Sequence, residues 1–427
     1  MNPKRRLSLA VVFATVGLIV PAAGVAQAAP AAITMWTHNG GNAAELADVN
    51  LTVKDFNASQ SKYKVIVKAF PQASYNDAVA AAAASNNLPC IVDSDAPNIP
   101  AWVYAGYLSP LTLPASLTKP FVPAVKGIIN GKLYSIGTYN AAVGLFTTKT
   151  ILAELGLRTP TIANPWTLAE FNDAMSKAKA SGKFDYALEL GNNNTGEWWP
   201  YFYSPFLQSF GGDLINRAGY KTAEGSLNGK AAVAWGNWWQ GLFANGLSPK
   251  NETADQHNNG FVTGKFAFAW DGAWDGPNFL KKYGTDLAIL PPPNLGTHPV
   301  IGGGSWEWAI TRTCSSSAGA NAWLAYAIQT KYLIKFANDL GNMPVTPAAA
   351  AASPFFGPGK PFAPLQDFSA QLVTLRPPTP AYPILAKVFE NAARAIKDGG
   401  DVQNTLDGAV DTINTVLKSN NFYKTKK

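Results

Sequence analysis

The chain has 427 residues, which is too long for a single hydrophobic core and predicts two or three domains. Hydrophobic residues make up 47% and charged residues only 14%, the composition of a globular protein rather than a disordered one. The net charge of +7 includes Lys4, Arg5 and Arg6, and the rest is too mild and too evenly spread to indicate a nucleic-acid partner.

The amino end has the three parts of a secretory signal peptide, which we place at residues 1–28. A basic start is followed by an apolar stretch, residues 7–20, that is too short for a comfortable membrane span. Ala26-Gln27-Ala28 then forms a small-residue cleavage site, with no cysteine nearby for lipid attachment. We therefore expect an exported, periplasmic, soluble protein.

Cys90 and Cys314 are the two cysteines of the chain. In an oxidising compartment, a pair with no cysteine left over indicates one disulfide, and two separate buried thiols are the alternative. Two cysteines alone cannot hold a structural zinc ion. We expect no metal and no cofactor.

The first part of the chain predicts βαβ units. Its periodicity gives a strand at 33–36, a helix at 42–59, a strand at 63–70, a helix at 75–85 and a strand at 88–92. Such alternation indicates a parallel sheet, whose ligands lie beyond the carboxyl ends of the strands. Side chains that follow the first and third strands are expected at one crevice: Trp36, His38, Asn39 and Asp95.

Two breaks in the extended segments predict crossings between domains. The first lies at Tyr139-Asn140, between strands at 132–136 and 141–147. The second is Gly302-Gly303-Gly304, followed by Trp306, Glu307 and Trp308. A flexible backbone beside tryptophans is typical of a hinge at a binding cleft, and a glycine turn with core tryptophans is the alternative of equal weight.

The remaining elements are mostly helical. Thr167 and Glu170 form a capping box that opens a helix, and Trp235, Trp238 and Trp239 share a face that we expect in the core. The last third predicts a helix at 318–338, a poorly structured segment at 348–364, and helix over 381–417 with a break at 399–400.

The order of these signals resembles the extracellular solute-binding proteins of ABC sugar importers, the group that includes maltose-binding protein. The segments that carry the resemblance are Gly106–Leu111 (G-x-L-x-P-L), Gly131–Tyr134 (G-K-x-Y), Pro165–Thr167, Phe261–Lys265 with Gly272–Trp274, and Gly302–Trp308. Each motif is weak alone, and their shared order is specific. Cys90, where the family usually has Asp, is a departure from the pattern.

The resemblance implies an α/β, two-lobe fold of the periplasmic-binding-protein type II, in which a hinge joins two mostly parallel sheets flanked by helices. Lobe 1 would comprise residues 29–139 with 303–340, and lobe 2 residues 140–302 with 341–427. In this fold, the third strand of lobe 1 runs antiparallel to the returning strand. Cys90 and Cys314 would then meet at one edge and bond.

The resemblance also implies a ligand site between the lobes. Trp274 would stack on a sugar ring, lobe 1 acceptors would bind its hydroxyls, and the segment from Glu197 to Tyr201 would supply contacts from lobe 2. The expected ligand-binding residues are Trp36, His38, Asn39, Asp95, Tyr139, Asn140, Glu197, Trp198, Tyr201, Asp271, Trp274, Gly304, Trp306 and Glu307.

The function that follows is capture of a neutral saccharide or polyol by a monomer that delivers it to membrane permease subunits. One alternative is a secreted carbohydrate enzyme with Asp271, Asp275 or Glu307 as acid and base, although hydrolase and metalloprotease motifs are absent from the sequence. Another is a non-sugar solute such as glycerol phosphate. A phosphate needs cations, and His38 is the one basic side chain expected at the cleft.

Overall fold

The computed structural model describes residues 29–424, so the signal peptide predicted at 1–28 lies outside the described residues. The strands of this part are β1 (Ala31–Thr37), β2 (Tyr63–Ala69), β3 (Ile91–Asp95), β4 (Leu108–Ser109), β5 (Lys126–Ile129), β6 (Lys132–Gly137), β7 (Ala141–Thr148), β8 (Tyr186–Glu189), β9 (Phe266–Gly272), β10 (Leu287–Leu290), β11 (Gly303–Gly304) and β12 (Trp306–Thr311).

The α-helices surround these strands. They are α1 (Ala43–Ser59), α2 (Gln72–Ala84), α3 (Ile99–Tyr104), α4 (Ala115–Thr118), α5 (Lys149–Glu154), α6 (Leu168–Ala180), α7 (Trp198–Phe210), α8 (Lys230–Ala244), α9 (Ala254–Asn259), α10 (Gly276–Tyr283), α11 (Ser317–Ala327), α12 (Thr330–Leu340), α13 (Pro347–Ala352), α14 (Ala363–Gln371), α15 (Tyr382–Lys397) and α16 (Val402–Ser419). Between residues 29 and 424, none of the helices combines the length and apolar character needed to cross a bilayer.

The strands form two separate sheets, as the predicted two-lobe α/β fold requires. The first is seven-stranded with the order β2-β1-β3-β12-β6-β5, and β4 lies beside β12. The second is five-stranded with the order β10-β7-β9-β8, and β11 lies beside β7. Each sheet packs its apolar side chains into a core of its own.

The expectation of mostly parallel sheets is wrong in detail. Parallel pairing holds β1 to β2 and β1 to β3, the βαβ units predicted from the sequence, and also β8 to β9. The strand β12 runs antiparallel to both β3 and β6, and β7 runs antiparallel to β9 and β10. The reason is that the chain enters the second sheet at β7 and returns to the first at β12 from the cleft side, so these two strands run opposite to the neighbours that end at the cleft.

The chain passes between the sheets at two short links. Residues 138–140 connect β6 of the first sheet to β7 of the second. On the return, β11 pairs with β7 and β12 joins the first sheet, which leaves Ser305 as the connecting residue. Gly304 has a φ of +102°, a conformation that residues with a side chain rarely adopt. Asn140 and Met343 exchange backbone hydrogen bonds beside these links.

The tryptophan stripe of α8 lies in the core, as predicted. Trp235 and Trp239 are fully buried, and Trp238 packs against the same cluster. Trp199 from α7 contacts Trp239 edge-on. Burying each of these side chains stabilises the fold by about 2–3 kcal/mol.

Two predictions for the last third of the chain were wrong. The helix expected at 318–338 is interrupted, because Gln329 adopts an extended backbone and caps the start of α12. The segment expected to be poorly structured contains α13, which the side chain of Thr346 caps and Pro347 opens. An alanine run behind those two signals is a strong helix former.

The predicted disulfide is confirmed. Cys90 precedes β3 and Cys314 follows β12, and their Cα atoms are 4.2 Å apart. The antiparallel register that places Ile91 opposite Ile310 brings these ends together. The bond closes a loop between residues 224 positions apart, so it stabilises the fold by roughly 5 kcal/mol on the chain-entropy estimate.

Candidate ligand-binding cleft

A cavity of about 490 Å³ lies between the two sheets, within the usual range for small-molecule sites. We call its two sides the first wall (His38, Glu45, Asp95, Tyr139 and Trp306) and the second wall (Glu197, Trp198, Tyr201 and Trp274). The residues predicted from the sequence that line it are His38, Asp95, Tyr139, Glu197, Trp198, Tyr201, Trp274, Gly304 and Trp306.

The first wall is a network of buried polar groups behind one indole. His38 follows β1, and its ring stacks on Trp306 with centroids 3.6 Å apart and planes 8° apart. The Nδ1 atom of His38 lies 2.6 Å from a carboxylate oxygen of Asp93 at the middle of β3. Its Nε2 atom faces Glu45, at the start of α1, at 3.7 Å. Residues of β3, of the loop after β1 and of the start of α1 therefore hold this network in place.

The charges of the first wall reinforce one another. Burial alone would lower the pKa of His38, but the carboxylates of Asp93 and Glu45 outweigh it and raise that pKa above its ordinary value. Burial raises the pKa of Glu45, although His38 and a hydrogen bond with Tyr139 oppose the rise. The neighbouring carboxylates therefore favour the protonated form of His38 more than water would.

The second wall is aromatic. Trp198 opens α7 and stacks on Phe202, with centroids 3.8 Å apart, and its ring lies edge-on to Trp274 at 6.0 Å. Tyr201, one helical turn further on, has a buried hydroxyl without a hydrogen-bond partner among the described residues. Aromatic faces and an unpaired hydroxyl at one surface fit a ligand that offers both apolar and polar edges.

Gly272 determines the position of Trp274. A Cβ atom at Gly272 would lie 2.2 Å from the indole ring, a distance that no side chain tolerates. The glycine therefore lets the chain fold back after β9 and places the ring against the strand end. The sequence Gly272-Ala273-Trp274 requires its glycine for this close approach.

An ion pair spans the cavity between the two walls. The guanidinium of Arg376 donates two hydrogen bonds of 2.7 Å to the carboxylate of Asp95, on the first wall. It donates a third, of 2.9 Å, to Glu197 on the second wall. Glu197 also accepts from Tyr382 at 2.6 Å and from Asn98 at 3.1 Å. Because Asp95 belongs to β3 and Glu197 precedes α7, these contacts join the two sheets across the cleft.

Arg376 corrects the expectation that His38 is the one basic side chain at the cleft. It lies between α14 and α15, in a segment with prolines at 377 and 378 and no strand or helix pattern. Its acidic partners are distant in sequence, so no local spacing signals the pair. The sequence analysis did not single out other lining residues: Asn42, Glu45, Gln72, Asn278, Ser305, Asp339 and Asn342. Asp275, which it named only for the enzyme alternative, also lines the cavity.

Two residues predicted on the first crevice do not line the cavity. Trp36 packs on Phe70, with centroids 4.7 Å apart, and the ammonium of Lys68 lies over its ring. Strand alternation explains this, since its neighbours in β1, Met35 and Thr37, point into the buried side. Asn39 is buried and bonded to Thr37.

Three further predicted residues are buried away from the cavity. The backbone of Asn140 pairs with Met343 at the crossing. Asp271 lies within β9 and accepts a hydrogen bond of 2.6 Å from the backbone of Gly272. Glu307 accepts one from Ser135, and burial raises its pKa to about 8. The sequence analysis placed these three residues on segments near the cavity, but it did not predict that their side chains point away from it.

The fold has close matches among solved structures of binding proteins. The GacH receptor of Streptomyces glaucescens, solved free and with acarbose, superposes with a TM-score of 0.76 at 19% identity, over 91% of this chain and 99% of that one. The maltose/maltodextrin-binding domain from Bdellovibrio bacteriovorus, bound to maltotriose, gives 0.74 at 20% identity, over 91% and 100%.

A solute-binding protein from Thermotoga lettingae, bound to α-D-tagatose, gives a TM-score of 0.75 at 19% identity, over 91% of this chain and 100% of that one. At these identities, the likeness concerns the fold. No curated protein matches the chain by sequence. The family model for bacterial extracellular solute-binding proteins matches residues 52–358, most of the chain. The chain therefore belongs to the bacterial extracellular solute-binding proteins.

Proposed function

We propose that the protein captures a neutral saccharide or polyol between its two walls and delivers it to the permease of an ABC importer. The observation that carries this proposal is the combination in one cavity of ring faces, from Trp198, Trp274 and Trp306, with hydrogen-bonding groups on both walls. A sugar presents both kinds of surface, since its C–H faces are apolar and its hydroxyl rim is polar.

The charges of the cleft support a neutral ligand. Arg376 is a cation inside the cavity, but its Nη atoms already donate to Asp95 and Glu197. A phosphate would place further negative charge beside the buried carboxylates of Asp95 and Glu197, and among the described contacts only the Nε of Arg376 is left to receive it. A neutral hydroxyl can instead accept or donate at the edges of the same groups, so glycerol phosphate is the less favoured ligand.

Structural relatives support the sugar class. The proteins from Streptomyces glaucescens and Bdellovibrio bacteriovorus were solved with acarbose and maltotriose. The one from Thermotoga lettingae was solved with α-D-tagatose. The cavity volume of about 490 Å³ lies within the range of small-molecule sites.

Closure of two lobes about the crossings is the proposed motion. The lobes would be residues 29–139 with 303–340 and residues 140–302 with 341–427, and the crossing residues would absorb the backbone change. The Arg376 ion pair is proposed to hold the closed form, because its partners belong to opposite walls. We further propose that the protein acts as an exported, periplasmic monomer that docks on permease subunits.

A carbohydrate enzyme is the alternative from another class. Two of its candidate carboxylates, Asp271 and Glu307, do not line the cavity, and Asp275 does. Glycoside cleavage needs a pair of carboxyl groups on either side of the bond. The family and the structural neighbours are substrate-binding proteins, which favours binding without turnover.

The test is a thermal-shift screen over maltose, maltotriose, maltotetraose, tagatose and polyols, with product analysis of each mixture. A ligand at 100 times its dissociation constant should stabilise the fold by about 2.7 kcal/mol. Stabilisation by at least one saccharide without any product supports the proposal. Turnover that disappears in Asp275→Asn would establish the enzyme instead, and a response to glycerol phosphate alone would reject the sugar.

A further inference from the structure

Behind the second wall, three side chains of metal-ligand type converge. Glu189 ends β8 and Asp271 lies near the end of the parallel neighbour β9, so both reach the same edge of the sheet. His257 joins them from α9, and its Nδ1 atom lies 2.7 Å from one oxygen of Glu189. Ligand atoms of all three residues lie within 4.8 Å of one another. Three donors this close can share one ion with modest adjustment.

Some carboxylate oxygens of this cluster have no hydrogen-bond partner among the described residues. Glu189 and Asp271 are both fully buried, and each has one oxygen without a hydrogen-bond partner among the described residues. Glu252, one residue before the cap of α9, has another. A buried carboxylate oxygen left unpaired is costly. His257 contacts an oxygen of Glu189, but the unpaired oxygens have neither a cation nor a hydrogen-bond donor beside them among the described residues.

We propose that Glu189, His257 and Asp271 hold a divalent transition-metal ion of the zinc class. Two carboxylate oxygens with one imidazole nitrogen are a donor set that zinc accepts, whereas calcium and magnesium prefer oxygen alone. The ion would occupy the space between the unpaired oxygens and supply the missing positive charge. This site is additional to the sugar cleft and departs from the sequence expectation that the protein holds no metal.

The position of the cluster gives the ion a structural role beneath the cleft. The ring of His257 lies edge-on to Trp198, with centroids 5.1 Å apart. Trp198 in turn stacks on Phe202 and faces the cavity. A metal ion that fixes the imidazole therefore also fixes the indole that forms part of the second wall.

The experiment uses the full chain, stripped with EDTA and titrated with zinc chloride by calorimetry, with bound metal counted by elemental analysis. We expect one zinc ion per chain and a rise in melting temperature of at least about 3 °C at a hundredfold excess over the dissociation constant. Asp271→Asn should reduce zinc affinity at least about tenfold. The exposed residues Asp255 and His298 supply the controls, since Asp255→Asn and His298→Gln should bind zinc as the unmodified protein does.

A second readout guards against a folding defect. In EDTA, Asp271→Asn should be at least as stable as the unmodified protein, because an amide of the same shape avoids any cost of burying a charged group there. If that variant does not fold, His257→Gln gives the same test through its zinc content. The proposal is overturned if zinc neither binds nor raises the melting temperature of the unmodified protein. It is equally overturned if the folded variants keep full zinc affinity, since Glu189 and His257 would then form a simple ion pair.

Discussion

On the first wall of the cleft, polar groups are already bonded to one another, as in the contact of His38 with Asp93. On the second wall, Trp198 and Trp274 offer ring faces, and the hydroxyl of Tyr201 has no partner among the described residues. The first wall is thus preorganised for hydrogen bonding, whereas the second gains most from covering an apolar surface. A ligand that fits both walls therefore needs an apolar face and polar groups on the same ring.

The largest expected effect concerns the ion pair that joins the walls. Arg376→Met leaves Asp95 and Glu197 as buried, uncompensated carboxylates, so the free energy of unfolding should fall by about 3–5 kcal/mol. Urea denaturation measures it. The control is Arg217→Met, which breaks a more exposed pair with Asp213 and should cost about 0–1 kcal/mol. Equal losses in the two variants would mean that the walls are not coupled through Arg376.

A pH series tests the strand behind the first wall, β12, through its buried residue Glu307, without involving the second wall. Burial raises the folded-state pKa of Glu307 to about 8 from 4.5, so the folded protein retains a proton that the unfolded chain releases. The resulting stabilisation is complete below pH 4.5 and is lost as the pH rises to about 8, with a slope of at most about 1.4 kcal/mol per unit.

Glu307→Gln should remove this part of the pH dependence. Relative to the unmodified protein, the variant should gain stability steadily between about pH 5 and pH 8, as urea unfolding at each pH would show. The exposed Glu224 provides the control, because Glu224→Gln should leave the slope unchanged. A Glu307→Gln variant with the slope of the unmodified protein would show that this carboxyl group is ionised in the fold.

Removing a ring face tests the second wall itself. Trp274→Ala should weaken binding of the saccharide found in the screen by about 2 kcal/mol, or roughly 30-fold, because the sugar loses its stacking surface. Trp36→Ala is the matched control, since Trp36 packs on Phe70 outside the cavity. Calorimetric titration compares the two. Equal affinity losses would place the sugar elsewhere than against Trp274.

The smallest expected effect concerns two tyrosine hydroxyls. That of Tyr201 should contribute to ligand binding, whereas that of Tyr203 should contribute to folding stability. Tyr201→Phe should leave stability within about 0.5 kcal/mol but lower saccharide affinity about fivefold, because the removed hydroxyl is unpaired in the free cleft. Tyr203→Phe should show the reverse, since its hydroxyl donates to the backbone of Leu190 at 2.8 Å. Identical behaviour of both variants would remove Tyr201 from the site.

The sequence predicted the parts that depend on local pattern. Strand periodicity, the Thr167 capping box and the tryptophan stripe of α8 led to the right elements. The bond between Cys90 and Cys314 was predicted instead from the cysteine count and the family resemblance. The aromatic lining of the second wall followed from short motifs such as Gly272-Ala273-Trp274.

What could not be predicted depends on contacts between distant segments. Arg376 meets Asp95 only after the chain has crossed between the sheets, and no spacing in the sequence links them. Side-chain direction was the other failure, because Trp36 and Glu307 lie on the right strands but face away from the cavity. A shift of one residue reverses the face in a strand, so direction needs the register.

The most direct test of the claim that both walls hold one ligand is hydrogen–deuterium exchange with and without the saccharide selected by the screen. Backbone segments of both walls should exchange more slowly when the saccharide is bound, because closure covers them together. These segments lie around Asp95 and Gly304–Trp306 on the first wall and around Trp198–Tyr201 and Trp274 on the second. Protection confined to one wall, or found only outside the cavity, would contradict capture between the lobes.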